Sequence, residues 1–140
     1  MRIEKIFIIA IVFISGYTSV KADTIPFWSI KYNQKILKEL NANSEIPEII
    51  INKGKILARD TITISYLKDV ICRDCITSLK IKDKQGKTVR VINGKGTLQP
   101  FSFKVTDLQV LGMKNLSDYF DLYYSEDKRY EIYLIRIRIR

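Results

Sequence analysis

The chain has 140 residues, a formal net charge of +9, two cysteines and no histidine. The length suits a single domain with its own hydrophobic core. The lack of histidine excludes Ser-His-Asp and Cys-His catalysis, and two cysteines alone cannot complete a tetrahedral zinc site, so a metal would need carboxylate ligands or a second chain. We therefore predict a non-enzymatic protein with no catalytic residues, no metal site and no cofactor.

Residues 1–22 have the features of a secretory signal peptide. Arg2 and Lys5 precede the apolar run IFIIAIVFI, and the following segment ends in SVKA, which supplies small residues before a cleavage point. The run is shorter than the roughly 20 residues of an ordinary spanning helix, although a retained N-terminal anchor is the alternative. We predict a mature domain over residues 23–140, secreted or periplasmic, with no transmembrane segment after cleavage.

The positive charge remains after this segment is removed. Residues 1–22 contain three basic residues and one acidic residue, so the net charge falls from +9 to +7. The basic residues are spread along the chain, so nucleic acid is not an expected partner. An ordinary solvated surface is the favoured interpretation, and binding of an anionic envelope polymer is the alternative.

The first elements alternate as strands do. FWSIKY sets Trp28, Ile30 and Tyr32 on one face, and NQ offers a two-residue turn into KIL, so the pattern predicts a hairpin. A helix over residues 29–40, capped by Ser29, is the competing interpretation. PEIIIN, KG and KILA predict a second hairpin, and DTITISYL predicts a further strand.

The only two cysteines, Cys72 and Cys75, lie in CRDC between two predicted strands. A thioredoxin-type dithiol would begin a helix, whereas no helical period follows Cys75. We predict a local disulfide worth roughly 2 kcal/mol by chain entropy, with a thiol-disulfide redox protein as the alternative. The clipped loop is a candidate recognition element, and its polar residues are Lys68, Asp69, Arg73 and Asp74. The alternative is a disulfide that only shapes the connection between two strands.

Strand patterns resume after this loop. TSLKIKD turns at DKQG into KTVRVI with Val89 and Val91 inward, and NGKGTLQP is a glycine-rich connection. Phe101, Phe103 and Val105 then share one face. The segment VTDLQVLGMKNLSD is predicted to cross between sheets, with one helical turn ended by Gly112.

Two strong strands follow, YFDLYY and YEIYLIRIRIR. In the second, the alternation slips by one residue at Leu134 and Ile135, which indicates either a bulge or burial on both sides. Beyond the slip, isoleucines and arginines divide the strand into an apolar face and a cationic face. They are Ile135, Ile137 and Ile139 on one side, and Arg136, Arg138 and Arg140 on the other.

Two weaker groupings have ordinary structural explanations. Asp69, Asp74 and Asp83 suggest paired carboxylates, but aspartates in turns usually make local hydrogen bonds. Aromatic side chains could form a binding face for glycan or peptide, although core positions and cross-strand pairs are the favoured interpretation. These aromatic residues are Trp28, Tyr119, Tyr123, Tyr124 and Tyr130.

Some eight short strands at this spacing predict an all-β fold, a single antiparallel β-sandwich of immunoglobulin or fibronectin type III architecture. The order WSIKYN, DTITISY, CRDC, LKIKDKQGK and PFSFKVTDL resembles small exported β-sandwich proteins of uncharacterised function from Bacteroidota. This resemblance implies no activity. We predict a binding or structural module of the cell envelope, whose partner is an envelope protein, a glycan or an anionic polymer.

Overall fold

The computed structural model describes residues 25–140. The predicted signal peptide over residues 1–22 and the predicted mature start at Asp23 lie outside the described residues. The elements in chain order are β1 (Phe27–Tyr32), β2 (Lys35–Asn41), β3 (Glu48–Ile51), a 3-10 helix (Lys53–Lys55), β4 (Thr61–Leu67), β5 (Ile76–Lys82), β6 (Thr88–Lys95), β7 (Phe101–Lys104), α1 (Val105–Asn115), β8 (Tyr119–Glu126) and β9 (Glu131–Ile139).

The strands form two packed sheets, which confirms the predicted all-β sandwich. One sheet has the order β2-β1-β4-β7 and the other has the order β3-β9-β8-β5-β6. Neighbouring strands are antiparallel, except that β3 pairs in parallel with β9. None of the helices in residues 25–140 has the length and apolar character that crossing a membrane would need.

Alternating side chains from both sheets fill the space between them. The indole of Trp28 on β1 donates a hydrogen bond to the carbonyl oxygen of Leu134 on β9 at 3.0 Å, which joins the two layers. Tyr66 on β4 stacks on Tyr124 on β8, with ring centroids 4.1 Å apart. The fully buried members of this core include Ile30, Ile64, Leu79, Ile81, Leu108, Phe120, Leu122, Ile135 and Ile137.

The first hairpin forms as predicted, and the competing helix over residues 29–40 does not. Both turn residues have left-handed backbone conformations, with φ of 48° at Asn33 and 69° at Gln34. Positive φ at both central positions matches the twist of a two-residue hairpin. The hairpin buries Trp28 and Ile30 between the sheets.

The predicted second hairpin over PEIIIN and KILA is wrong. The side chain of Asn52 accepts a hydrogen bond from the amide of Gly54 at 3.0 Å, which starts the 3-10 helix in place of a hairpin turn. The strand before it pairs instead with β9, where Ile49 lies opposite Ile137. This distant partner allows Ile49 to be buried in the core.

A register shift also corrects the prediction that Val91 faces inward. Ile81 pairs with Arg90 and Lys82 pairs with Thr88, so Val89 is an extra residue on β6. The bulge turns Val91 outward, where its side chain is exposed, and Ile92 packs against the core. β6 then continues to Lys95, so the predicted glycine-rich connection begins later than expected.

The slip in the last strand is a bulge, one of the two alternatives that the sequence left open. Tyr123 pairs with Tyr133 and Leu122 pairs with Ile135, so Leu134 is the extra residue on β9. Leu134 and Ile135 are both fully buried.

The crossover between sheets contains a longer helix than predicted. Three turns run from Val105 through Gly112 to Asn115, and Leu116 with φ of 52° ends the helix. The amide of Ser117 donates back to the carbonyl oxygen of Gly112 at 3.0 Å. A glycine inside a helix lowers its stability but does not end it when such bonds and buried contacts compensate.

Candidate functional site

Three loops lie together at one end of the sandwich, which we call the loop end. They are residues 68–75 between β4 and β5, 96–100 between β6 and β7, and 127–130 between β8 and β9. Phe27 at the start of β1 pairs with Leu67 at the end of β4, so the chain also enters the domain here.

Hydrogen bonds join these loops to one another. The amide of Thr97 donates to the carbonyl oxygen of Cys72 at 2.9 Å, and the amide of Cys72 donates to Oγ1 of Thr97 at 3.2 Å. On the other side, the amide of Asp127 donates to the carbonyl oxygen of Ile76 at 2.8 Å, and the amide of Ile76 donates to Oδ1 of Asp127 at 3.0 Å. The loop over residues 68–75 is therefore held by hydrogen bonds to the other two loops, directly through Cys72 and through the adjoining Ile76.

Gly96 permits the closest of these approaches. It has φ of +76°, and a Cβ atom there would lie 2.9 Å from the carbonyl oxygen of Arg73 and 3.1 Å from that of Cys72. Both the conformation and the space favour glycine. The amide of Gly96 also donates to the carbonyl oxygen of Cys75 at 2.9 Å.

Cys72 and Cys75 form the predicted disulfide. Cys75 is buried and Cys72 is half-buried. The amide of Cys75 donates to Sγ of Cys72 at 3.0 Å. In the reduced protein, a donor at this position would stabilise a thiolate on Cys72.

A carboxylate lies beside the disulfide. Both oxygens of Glu126, the last residue of β8, accept hydrogen bonds from Nζ of Lys68 at 2.6 and 2.8 Å. The sulfur atoms of Cys72 and Cys75 and a carboxylate oxygen of Glu126 all lie within 4.8 Å of one another. The loop end therefore brings together two sulfurs, a carboxylate and an ammonium group.

Two core tyrosines, Tyr66 and Tyr124, interact with Glu126 of this cluster. Oη of Tyr124 is buried. Burial raises the pKa of Tyr124, and the negative charge of Glu126 raises it further. Burial, with smaller contributions from Tyr130 and Glu126, also raises the pKa of Tyr66 to about 12. Both hydroxyls therefore stay protonated at neutral pH.

The predicted recognition residues have different environments. Lys68 is half-buried in its pair with Glu126, whereas Asp69, Arg73 and Asp74 are exposed. Asp74 forms an exposed ion pair with Lys95 at 3.1 Å. The turn aspartate Asp83 accepts hydrogen bonds from the amides of Gln85 and Lys87, which is the local role predicted for such aspartates.

Exposed apolar side chains lie at the loop end, and of these only Tyr130 had been considered as a binding residue from the sequence. Val70 is 75% exposed, Ile71 52%, Leu98 58% and Tyr130 60%. Val70 and Ile71 directly precede Cys72, and Leu98 directly follows its partner Thr97. The available sequence signal was apolar residues that lie outside any strand pattern and within two positions of a cysteine or a glycine.

The outer face of the five-stranded sheet carries cations that are already paired. Arg136 makes two hydrogen bonds to Asp121 at 2.8 and 2.9 Å, and its guanidinium lies 4.0 Å from the ring centroid of Tyr119. Hydrogen bonds from two lysines lower the pKa of Glu131. The remaining pairs are Arg138 with Glu48 and Asp118, and Lys80 and Lys82 with Glu131.

The structure divides the predicted aromatic group among different environments. Trp28 and Tyr124 are core residues, as favoured by the sequence. Tyr123 packs edge-on against Tyr133 across β8 and β9, and Tyr119 lies under arginines. Tyr130 is the exposed member and lies at the loop end.

Two grooves lie elsewhere on the surface. One, of about 410 Å³, is lined by Leu108, Met113, Leu116 and Ile139 with Lys53 and Lys84. The other, of about 480 Å³, opens between the sheets beside Leu37, Ile49 and Asp60. Neither contains residues from the three loops.

Comparison of the chain with models of known protein families and with curated protein sequences finds no match. The candidate site is therefore interpreted from its own chemistry.

Proposed function

We propose that this protein is an exported, non-enzymatic binding module of the cell envelope that recognises a protein partner through its loop end. The observation that carries this proposal is the exposure of Val70, Ile71 and Leu98 on loops fixed by a disulfide and by backbone hydrogen bonds. Exposed apolar side chains on loops held by a rigid scaffold are typical of binding surfaces.

The charges around these side chains favour a protein over an anionic polymer. A polyanion is bound most strongly by cations without intramolecular partners. The rim of the loop end instead has both signs, with Arg73 beside Asp74 and with Asp74 paired to Lys95. Protein interfaces commonly combine an apolar centre with such a mixed polar rim.

Two matched valine variants test the proposal. Val70→Asp changes the loop end, whereas Val110→Asp changes an exposed valine of α1, which begins at the opposite end of the sandwich. Valine and aspartate have similar helix propensities, so the control should fold. A partner captured from envelope extract by the wild type, then purified, should bind Val110→Asp as well as the wild type and Val70→Asp at least about tenfold more weakly.

Equal binding of the two variants would contradict a loop-end interface. The electrostatic alternative would be favoured instead if the protein retained an anionic polymer, if this retention weakened with added salt, and if Val70→Asp left it unchanged.

A thiol-disulfide redox function is the second candidate. It is favoured by the amide of Cys75, which donates to Sγ of the half-buried Cys72 at 3.0 Å. The reduction potential of the disulfide separates the two functions. A structural disulfide should lie below about −300 mV, and a value well above this would favour redox activity.

A further inference from the structure

The two sulfurs of the disulfide and the neighbouring Glu126 carboxylate have the composition of a metal site once the sulfur–sulfur bond is open. Sγ of Cys72, Sγ of Cys75 and a carboxylate oxygen of Glu126 lie within 4.8 Å of one another. In a tetrahedral zinc site, with Zn–S near 2.3 Å and Zn–O near 2.1 Å, ligand atoms stand about 3.5–3.8 Å apart. Side-chain movements of about 1 Å would therefore complete the geometry.

We propose that the reduced loop end binds one Zn²⁺ through the two thiolates and the Glu126 carboxylate, with the fourth position open to water. This inference goes beyond partner recognition and does not depend on it. Two sulfur ligands and one oxygen ligand suit zinc, whereas Mg²⁺ and Ca²⁺ take oxygen ligands and Cu⁺ selects sulfur.

The reaction has two balanced steps. An external dithiol reduces the Cys72–Cys75 bond, giving two thiols on the protein and a disulfide on the reductant. Zn²⁺ then replaces the two thiol protons, which are released to solvent, and Glu126 binds as the carboxylate. Metal binding therefore competes with reformation of the disulfide.

Neighbouring groups already orient these ligands. The amide of Cys75 donates to Sγ of Cys72 at 3.0 Å. Lys68 holds both oxygens of Glu126, so one oxygen can turn to the metal while the other keeps its hydrogen bond. The buried hydroxyl of Tyr124 interacts with Glu126, so it is a further donor that can orient this carboxylate.

The first test uses the exported protein without substitution. The protein is reduced, separated from reductant without oxygen and titrated with Co²⁺ as a spectroscopic probe. We expect the thiolate-to-cobalt charge-transfer and tetrahedral d–d bands, saturating at one metal per chain and abolished by Zn²⁺. The oxidised protein should show neither band. Absence of the bands in the reduced protein would overturn the proposal.

Two carboxamide variants then test the oxygen ligand. Glu126→Gln should weaken metal binding at least about tenfold, while Asp74→Asn, which alters an exposed carboxylate between the cysteines, should leave it unchanged. Unchanged binding by Glu126→Gln, or an equal loss in Asp74→Asn, would reject Glu126 as a ligand.

X-ray absorption of the zinc-loaded wild type provides a measurement that does not depend on the folding of a variant. Two sulfur neighbours with the remainder oxygen are expected. Four sulfur neighbours would mean that two chains share the metal, and would contradict the site.

Discussion

Asp60 is the buried carboxylate that joins three segments at the end of the sandwich opposite the loop end. Its oxygens accept hydrogen bonds from Oη of Tyr32 at 2.5 Å, Nδ2 of Asn33 at 2.7 Å and the amide of Leu57 at 2.8 Å. These bonds, the backbone one from Leu57 foremost, lower the pKa of Asp60, although burial opposes them. Burial and the bond to Asp60 raise the pKa of Tyr32 to about 12.

Because folding lowers the pKa of Asp60, the free energy of unfolding depends on pH. Its carboxylate stabilises the folded state above the unfolded pKa of about 4, and this contribution is lost as pH falls through the lower folded pKa. Asp60→Asn should therefore lower the melting temperature by several degrees at pH 7, with a smaller difference from the wild type in strong acid.

Thermal melts from pH 2 to pH 7, with the exposed Asp74→Asn as control, make this measurement. A constant difference between Asp60→Asn and wild type across that range would show that the charge of Asp60 is not involved.

At the scale of a single element, the inward-facing and outward-facing side chains of β9 contribute differently to stability. Ile137 is fully buried opposite Phe120 and Ile49. Arg138, on the outer face, contacts the carboxylates of Glu48 and Asp118 at 2.7 Å each. The isoleucine contributes burial to folding, whereas partly exposed ion pairs contribute little.

We expect Ile137→Asp to unfold the domain, because it buries a charge without a partner. Arg138→Gln should leave the melting temperature nearly unchanged, because ion pairs at the surface contribute little to stability. The reversal Arg138→Glu would add a third carboxylate beside Glu48 and Asp118, so glutamine is the cleaner substitution.

Thermal melts followed by circular dichroism distinguish these outcomes. Equal and mild effects of the two variants would mean that β9 detaches without loss of the fold, and the anionic-polymer alternative would gain support.

At the scale of the whole molecule, alternation predicted most strands because a period of two follows directly from burial of one face. It also located the slip at Leu134 and Ile135, where two apolar neighbours break that period, and the structure shows that this slip is a bulge. It could not predict that Ile49 pairs with Ile137, because parallel pairing depends on residues far apart in the chain. The length of α1 was missed since Gly112 suggested an end, whereas tertiary contacts override that local signal.

The loop end shows the same division between local and distant information. CRDC in a strand-loop-strand context was sufficient to predict the disulfide between Cys72 and Cys75. Nothing in the spacing connects those cysteines to Glu126, which the topology brings from the end of β8. The exposure of Val70 and Leu98 likewise depends on which loops meet at that end.

The position of β9 has a consequence for biosynthesis. β9 follows every other described strand in the chain, yet it lies between β3 and β8 in its sheet, and it is the partner to which β3 hydrogen-bonds. A chain that emerges N-terminus first cannot complete this sheet until residues 131–139 have appeared, so β3 lacks its partner strand while residues 52–130 are being synthesised. The five-stranded sheet is therefore completed only after β9 has been synthesised.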